Sequence, residues 1–312
     1  MAETQKNSDT PRGRCGMVSI IGRPNVGKST LLNCILGEKV AIVSQVPQTT
    51  RNQIRGIYTD ERGQIVFIDT PGLHIGGDKL DKFMNASSVG TICGADAIVY
   101  LVDTSRRTGP EEEYAAGQLA FIDIPIVLGL NKIDLKGKYL PDYIALLEKA
   151  KGKSVQEMKN VTLLPLSGKV GTNAEKLLDI LFDHLPEGTA LYPEDTVCDV
   201  PQKLVIADIV REKLFELMKE EIPHALTVVI EHMQLKAKKT THIKALILVE
   251  RETQKEIVIG KGGQVLKTVG TLARKELEAL LETKVFLELY VKVQKQWRND
   301  DSFLRELGYE KF

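Results

Sequence analysis

Eight consecutive residues, Gly22-Arg23-Pro24-Asn25-Val26-Gly27-Lys28-Ser29, fit the pattern G-x-x-x-x-G-K-[ST]. Glycines in such a loop let the backbone wrap a phosphate with its N–H groups turned inward. Lys28 supplies a point charge to the β- and γ-phosphates, and the Ser29 hydroxyl can ligate Mg²⁺. The pattern carries weight only between a strand and a helix. Met17 to Ile21 reads as a buried strand, and Leu31 to Leu36, stopped by Gly37, as a helix whose positive end lies beneath the phosphates. With Thr30 counted in the same turn, this stretch predicts a nucleotide site.

A protein that senses its γ-phosphate needs a mobile segment that brings a hydroxyl to the metal. The polar, aperiodic stretch Val43 to Asn52 is that segment, with Thr50 as the first candidate and Thr49 as the reserve. Two strands follow, Asn52 to Asp60 and Gly63 to Asp69, joined by a turn at Glu61-Arg62-Gly63. The second delivers Asp69-Thr70-Pro71-Gly72 at its carboxyl end, where open α/β sheets bind ligands. Asp69 can accept from a Mg²⁺-bound water there, and the Gly72 N–H can meet the γ-phosphate. Beside them Leu73 carries no polar atom, and His74 is either a base or, more commonly for a lone histidine, a solvated side chain.

A strand at Ala95 to Asp103 follows, and after it another, Pro125 to Leu130, leads into Asn131-Lys132-Ile133-Asp134. A carboxylate at Asp134 accepts from both N1–H and the exocyclic amino group of guanine. Adenine offers neither donor and would leave a charged acceptor unpaired, a mismatch that discriminates strongly. Lys132 can lay its stem over the ring while Asn131 holds loop and base edge. After the last strand, Leu163 to Leu166, come Ser167 and Gly168, then an amphipathic helix from Asn173 to His184.

Bulk composition narrows the class without naming it. The 312 residues suffice for two domains, and Lys+Arg and Asp+Glu stand at 42 each, so overall charge gives no sign of a nucleic-acid partner. Four scattered cysteines without a C-x-x-C pair argue against zinc and against a disulfide framework. No apolar run reaches the roughly 18 residues of a membrane span. Residues 1–14 read as a disordered tail, 15–185 as the nucleotide domain and 186–200, rich in Pro, Asp and Glu, as a linker. Residues 201–312 form a second domain with a C-terminal tail that holds Trp297, expected to pack onto the domain rather than stack a base.

In that second domain an apolar helix runs up to Pro223. Strands at Ala225 to Ile230 and Ile243 to Val249 follow, then Gly260-Lys261-Gly262-Gly263, a helix from Gln264 to about Leu281 and a strand from Val285 to Val291. Helix-strand-strand-helix-helix-strand with G-x-x-G between the inner helices is the order of a KH module of the second topology. Its glycines let a nucleic-acid backbone approach, and Lys261 and Lys267 add charge. Positive character must be local, in these two residues and in Lys236, Lys238 and Lys239.

The five nucleotide motifs fall in the order of the translation-factor-class GTPases. Gly-Arg-Pro-Asn-Val-Gly-Lys-Ser-Thr, Gln-Thr-Thr-Arg and Asp-Thr-Pro-Gly-Leu-His together resemble the Era family of bacterial ribosome-assembly GTPases, over the whole chain beyond the first dozen residues. The resemblance implies an α/β fold: a P-loop GTPase domain, its mostly parallel sheet flanked by helices, followed by an α+β KH domain. It implies Mg²⁺ with GTP, and K⁺ beside the phosphates through Asn25. It implies catalysis resting on Lys28, Thr50 and Gly72, with leucine at position 73 excluding the side-chain route used by Ras-like proteins. It further implies that the second domain takes the 3′ end of small-subunit ribosomal RNA during 30S maturation. A monomeric, cytoplasmic protein with peripheral contact to the inner membrane face completes the expectation. One departure stands out: Ser167-Gly168 replaces the family's usual Ser-Ala, which suggests a looser loop. Three rivals fit less well. A small-molecule kinase would leave the Asn-Lys-Ile-Asp tetrad without purpose. A tRNA-modifying GTPase should carry a reactive cysteine or cofactor domain. A passive RNA-binding protein has no need of Lys28, Asp69 and Asp134.

Overall fold

A computed structural model describes residues 13–236 and 239–309. The expected disordered tail lies outside the described residues except for its last two, which open the first strand, and Lys238 is also outside them. The chain begins β1 (Gly13–Ile21), α1 (Lys28–Leu36), β2 (Ile54–Asp60), β3 (Gly63–Asp69), α2 (Lys79–Cys93), β4 (Ala97–Asp103) and α3 (Pro110–Gly117). It continues β5 (Ile126–Asn131), α4 (Leu140–Lys151), β6 (Val161–Pro165) and α5 (Ala174–His184). The strands lie in the order β2-β3-β1-β4-β5-β6, parallel except for β2, and the short β7 (Glu187–Gly188) pairs antiparallel with the start of β1.

Burial on both faces explains the near-continuous apolar strands. In β4, Ala97, Val99 and Leu101 join the core under α1 and α5, while Ile98, Tyr100 and Val102 join that under α3 and α4. Parallel connection brings the ends of β1, β3, β4, β5 and β6 to one edge, so the loops after Ile21, Asp69, Asp103, Asn131 and Pro165 meet there.

The second half comprises α6 (Gln202–Leu217), α7 (Ile222–Ala225), β8 (Thr227–Lys236), β9 (Thr240–Val249), α8 (Glu252–Ile259), α9 (Gln264–Leu281), β10 (Lys284–Val293) and α10 (Asp301–Glu306). Its sheet runs β10-β9-β8, with β10 parallel and β8 antiparallel to β9. Alternate residues Ile243, Ala245 and Ile247 of β9 meet the Val269, Ala273 and Leu277 stripe of α9 in one core. The element order is the expected one, with the short α7 and α10 added. The hairpin of β8 and β9 is longer than its apolar pattern, because its outer rungs, past a bulge at Glu231, pair mostly exposed residues from His232 to Lys236. The first helix stops at Leu217, with Met218 extended, and Pro223 instead sits in the first turn of α7, where a missing N–H is tolerated.

Residues 186–200 are fastened to the sheet. Gln64 Oε1 accepts from the N–H groups of Leu191 and Tyr192. Ile57 N donates to Val197 O, Asp199 N to Arg55 O, and Gly56 bridges Cys198. A small apolar cluster then joins Leu80 and Met84 of α2 to Trp297, Leu304 and Tyr309. Trp297 is fully buried and donates to Ala225 O at 3.0 Å, so it packs and stacks no base.

Candidate nucleotide-binding site

The loop between β1 and α1 places Lys28 inside the fold. Its ammonium donates to Gly22 O at 3.3 Å and Arg23 O at 3.1 Å. Burial lowers its pKa to about 8 against the opposing pull of Asp69. Ser29 Oγ donates to Asp69 Oδ2 at 2.6 Å and lies 2.9 Å from Thr50 Oγ1. Three oxygen-bearing side chains from α1, the following loop and β3 therefore converge. Asp69 is fully buried, its pKa is pushed up to about 6 by that burial, and its Oδ1 has no hydrogen-bond partner. A buried carboxylate with one oxygen orphaned and the other on a hydroxyl, which in turn meets a second hydroxyl, suits a hard divalent cation such as Mg²⁺.

Thr50, not Thr49, reaches Ser29. The Thr49 hydroxyl turns back to Val46 O at 2.6 Å, and its carbonyl accepts from Arg211 of α6 at 2.6 Å. Arg51 donates to Leu226 O at 2.8 Å and Pro223 O at 3.3 Å. The second domain thus grips the residues on either side of Thr50. A cavity of about 50 Å³ opens between this segment and Pro24, Asn25, Gly27, Lys28, Ser29, Thr30 and Gly72.

The side chains of other sequence-predicted residues are taken up within the fold. Arg23 turns to Asp103 and Glu112, Val26 enters the apolar core, and Thr70 donates to Ile20 O at 2.9 Å. Pro71 O accepts from Ser88, and Leu73 is packed into the core beside Ile21 and Ile92. Leu73 N donates to Gly22 O at 3.0 Å, and a Cβ on Gly72 would stand 2.4 Å from Pro24 N, so only glycine admits this approach to the phosphate loop. Asn25 takes a positive φ of 62° and donates to Gln45 O at 2.5 Å through Nδ2. His74 is buried and not solvated, because Gly72 O and Asp81 occupy its ring nitrogens at 2.9 Å each.

After β5, Asn131 spends its amide on backbone. Nδ2 donates to Val26 O at 2.7 Å and Oδ1 accepts from Gly168 N at 2.9 Å. It bridges the phosphate loop to the Ser167-Gly168 loop, which is therefore tied down rather than loose. Lys132 spans Asn25 O and Asp103 Oδ2, both at 2.8 Å, and Asp134 Oδ1 accepts from Ser167 Oγ at 2.6 Å. Asp103 was not singled out by sequence, although it ends β4 at the shared edge. Neither was Arg211, whose one signal is a cation set in an apolar stretch, nor Arg298, which lies in a polar one and gives none.

The second-domain glycine loop stands between α8 and α9, with Lys261 and Lys267 exposed and Gly260, Gly262 and Gly263 all at positive φ. Lys239 lies apart from it, beside Glu278 and Glu282 at the far end of α9, one helix length or roughly 27 Å away. Among the described lysines expected to add positive character, Lys261 and Lys267 fall in one place and Lys236 and Lys239 in another.

Residues 17–132 match the model of the 50S ribosome-binding GTPase family, and residues 221–298 that of the KH domain. GTPase Era of Halothermothrix orenii is 41% identical over 297 residues, covering 95% of this chain and 99% of that protein. The chain belongs to the Era family of GTPases. Two solved Era structures, each 37% identical and spanning 95% of this chain and 99% of their own, agree with its fold. Era in complex with MgGDPNP and nucleotides 1506–1542 of 16S ribosomal RNA gives a TM-score of 0.87. A single-substitution variant of Aquifex aeolicus Era bound to GDP·AlF4⁻ gives 0.86. Era membership accounts for both halves of the chain at once, the GTPase sheet and the glycine-loop domain behind it.

Proposed function

We propose that this Era-family chain is a GTP-hydrolysing switch that holds the 3′ end of small-subunit ribosomal RNA and times a step of 30S assembly. The observation that carries the reading is the fit over 95% of the chain, at a TM-score of 0.87, to an Era that holds both MgGDPNP and a 16S ribosomal RNA segment. In this reading residues 15–185 read the nucleotide, 201–312 bind RNA, and 186–200 tie the two.

Backbone N–H groups from Gly22 to Thr30 cradle the phosphates, and Lys28 moves its ammonium from the loop carbonyls to the β- and γ-phosphates. Ser29, Thr50 and, through water, Asp69 would hold Mg²⁺, which when bound neutralises phosphate charge in the transition state. The Asn25 side-chain oxygen would hold K⁺, since its Nδ2 is committed to Gln45 O. Asp134, steadied by Ser167, accepts from the guanine edge; Lys132 covers the ring. Thr70, Pro71 and Leu73 set Gly72 against the γ-phosphate. Gly260, Lys261, Gly262, Gly263 and Lys267 meet the RNA backbone. We place the chain in the cytoplasm as a monomer, with any membrane contact peripheral; among the described residues no helix is long and apolar enough to cross a bilayer.

The test is phosphate release from GTP against ATP, with and without small subunits and a 3′-terminal ribosomal RNA fragment. GTP-selective turnover that rises with the RNA supports the reading. Equal turnover of the two nucleotides, or indifference to RNA, overturns it.

A further inference from the structure

One carboxylate joins both phosphate-sensing loops to the second domain. Asp81, in the first turn of α2, accepts at the same oxygen, Oδ1, from three directions. His74 Nε2, from the loop after Gly72, lies at 2.9 Å. Gln48 Nε2, from the loop that carries Thr50, lies at 3.1 Å. Arg298 Nη2, from the segment after β10, lies at 3.3 Å. Asp81 is almost fully buried, so these are its partners in place of water.

Beyond His74 the connection reaches the phosphate loop. His74 Nδ1 bonds Gly72 O at 2.9 Å, and the N–H of the same peptide unit, that of Leu73, donates to Gly22 O at 3.0 Å. The peptide after Gly72 is thereby fixed at both ends. Both partners of His74, a carbonyl and a carboxylate, are acceptors only, so the ring satisfies them together only as the doubly protonated imidazolium. On the other side, Arg298 also pairs with Asp78 at 2.7 Å and donates to His224 O at 3.2 Å. It stands next to Trp297, which is sealed into the cluster between the halves.

We infer that Asp81 is a positioning residue for hydrolysis: through His74 it sets the peptide after Gly72, and through Arg298 it makes that setting depend on the docked second domain. The inference rests on the GTPase reading above and adds to it the residue by which the RNA-holding half acts on the phosphate end. Asp81 touches no reacting atom in this scheme. It aligns the loop that does, and it does so best while His74 keeps both protons. The charged and titratable groups facing the pair are Glu111 toward His74, and Asp78, Arg298 and His224 toward Asp81.

The experiment uses the full chain, with single-turnover GTP hydrolysis measured from pH 5.5 to 9 beside GTP affinity. Wild type should lose rate as pH rises through the His74 titration. Asp81→Asn should lower the hydrolysis rate about tenfold at unchanged GTP affinity and move that fall to lower pH, because the imidazolium loses its counter-charge. Arg298→Gln should lower the rate less, and by leaving Asp81 with fewer competing cations move the fall to higher pH. That opposite shift separates alignment from mere stability, and it keeps the inference testable if Asp81→Asn folds poorly. An Asp81→Asn protein that matches wild type in rate and pH profile, while wild type hydrolyses GTP, overturns this inference alone. So does a rate loss with no change in either pH profile. A wild type that hydrolyses no GTP overturns the inference together with the function it rests on.

Discussion

The guanidinium of Arg51 lies over the ring of Trp297, 5.7 Å from its centroid, and so pins the loop carrying Thr50 to the C-terminal segment. The same side chain bonds Leu226 O and Pro223 O, while Trp297 bonds Ala225 O. Trp297→Ala should therefore cost about 3–5 kcal/mol, and much of it should appear as lost coupling between the halves. Urea titration followed by probes in each half checks this: the two transitions should separate in the variant and run closer together in wild type.

Asp134→Asn should switch preference from guanine towards xanthine, whose exocyclic group at that edge is an acceptor. Ser167→Ala should weaken GTP binding without changing base preference, since it removes a charge-assisted hydrogen bond worth about 1.5–3 kcal/mol and not the base contact. Competition of GTP, XTP and ATP against a labelled nucleotide distinguishes the two effects.

Burial holds the Lys28 ammonium at about 8, below its ordinary 10.5. Between those values the unfolded chain carries the extra proton, so the stability of the nucleotide-free protein rises with pH across that window, and the penalty is fully present below pH 8. Lys28→Met should raise nucleotide-free stability at pH 7 by an amount on the order of 2 kcal/mol, shrinking towards pH 10.5, and should abolish triphosphate binding. Thermal unfolding at several pH values, beside nucleotide titration, checks both.

If Asn25 helps hold a monovalent cation, hydrolysis runs faster in K⁺ than in Na⁺ at equal ionic strength. Asn25→Ala should erase that difference and leave nucleotide affinity largely intact. Turnover in matched salts is the measurement, and identical wild-type rates would remove the cation from the scheme.

For the RNA loop, Gly262 stands at φ 61°, a conformation in which a side chain is strained, so a substitution there mixes folding with binding. Lys261→Glu with Lys267→Glu avoids that problem. Anisotropy of a labelled single-stranded RNA should show a sharp loss of affinity and a shallower salt dependence, with GTP binding unchanged.

Local chemistry made much of this legible in the sequence. Gly22 to Ser29, Asp69 to Gly72 and Asn131 to Asp134 are short runs whose function fixes residue type, and each follows an apolar strand that marks the sheet edge. Relations across the fold were not legible. Thr50 could be chosen over Thr49 only on weak grounds, because the bonds that set the turn, Arg211 to Thr49 O and Arg51 to Leu226 O, join residues far apart in sequence. His74 read as solvated because Asp81 gives no periodic signal that it closes over the ring. Asn131 read as holding loop and base edge, but nothing in the sequence said which loops: its amide joins Val26 O to Gly168 N.

The residues 197–199 that run beside β2 have a practical consequence for dissecting the molecule. They occupy Ile57 N and Arg55 O, hydrogen-bonding groups on the outermost strand of the large sheet. A fragment cut at Leu185, where composition changes, would bare that strand and offer it to a second copy for edge-to-edge pairing. A fragment ended after Val200 would keep its own cover, and is the one to express when the nucleotide half is studied alone.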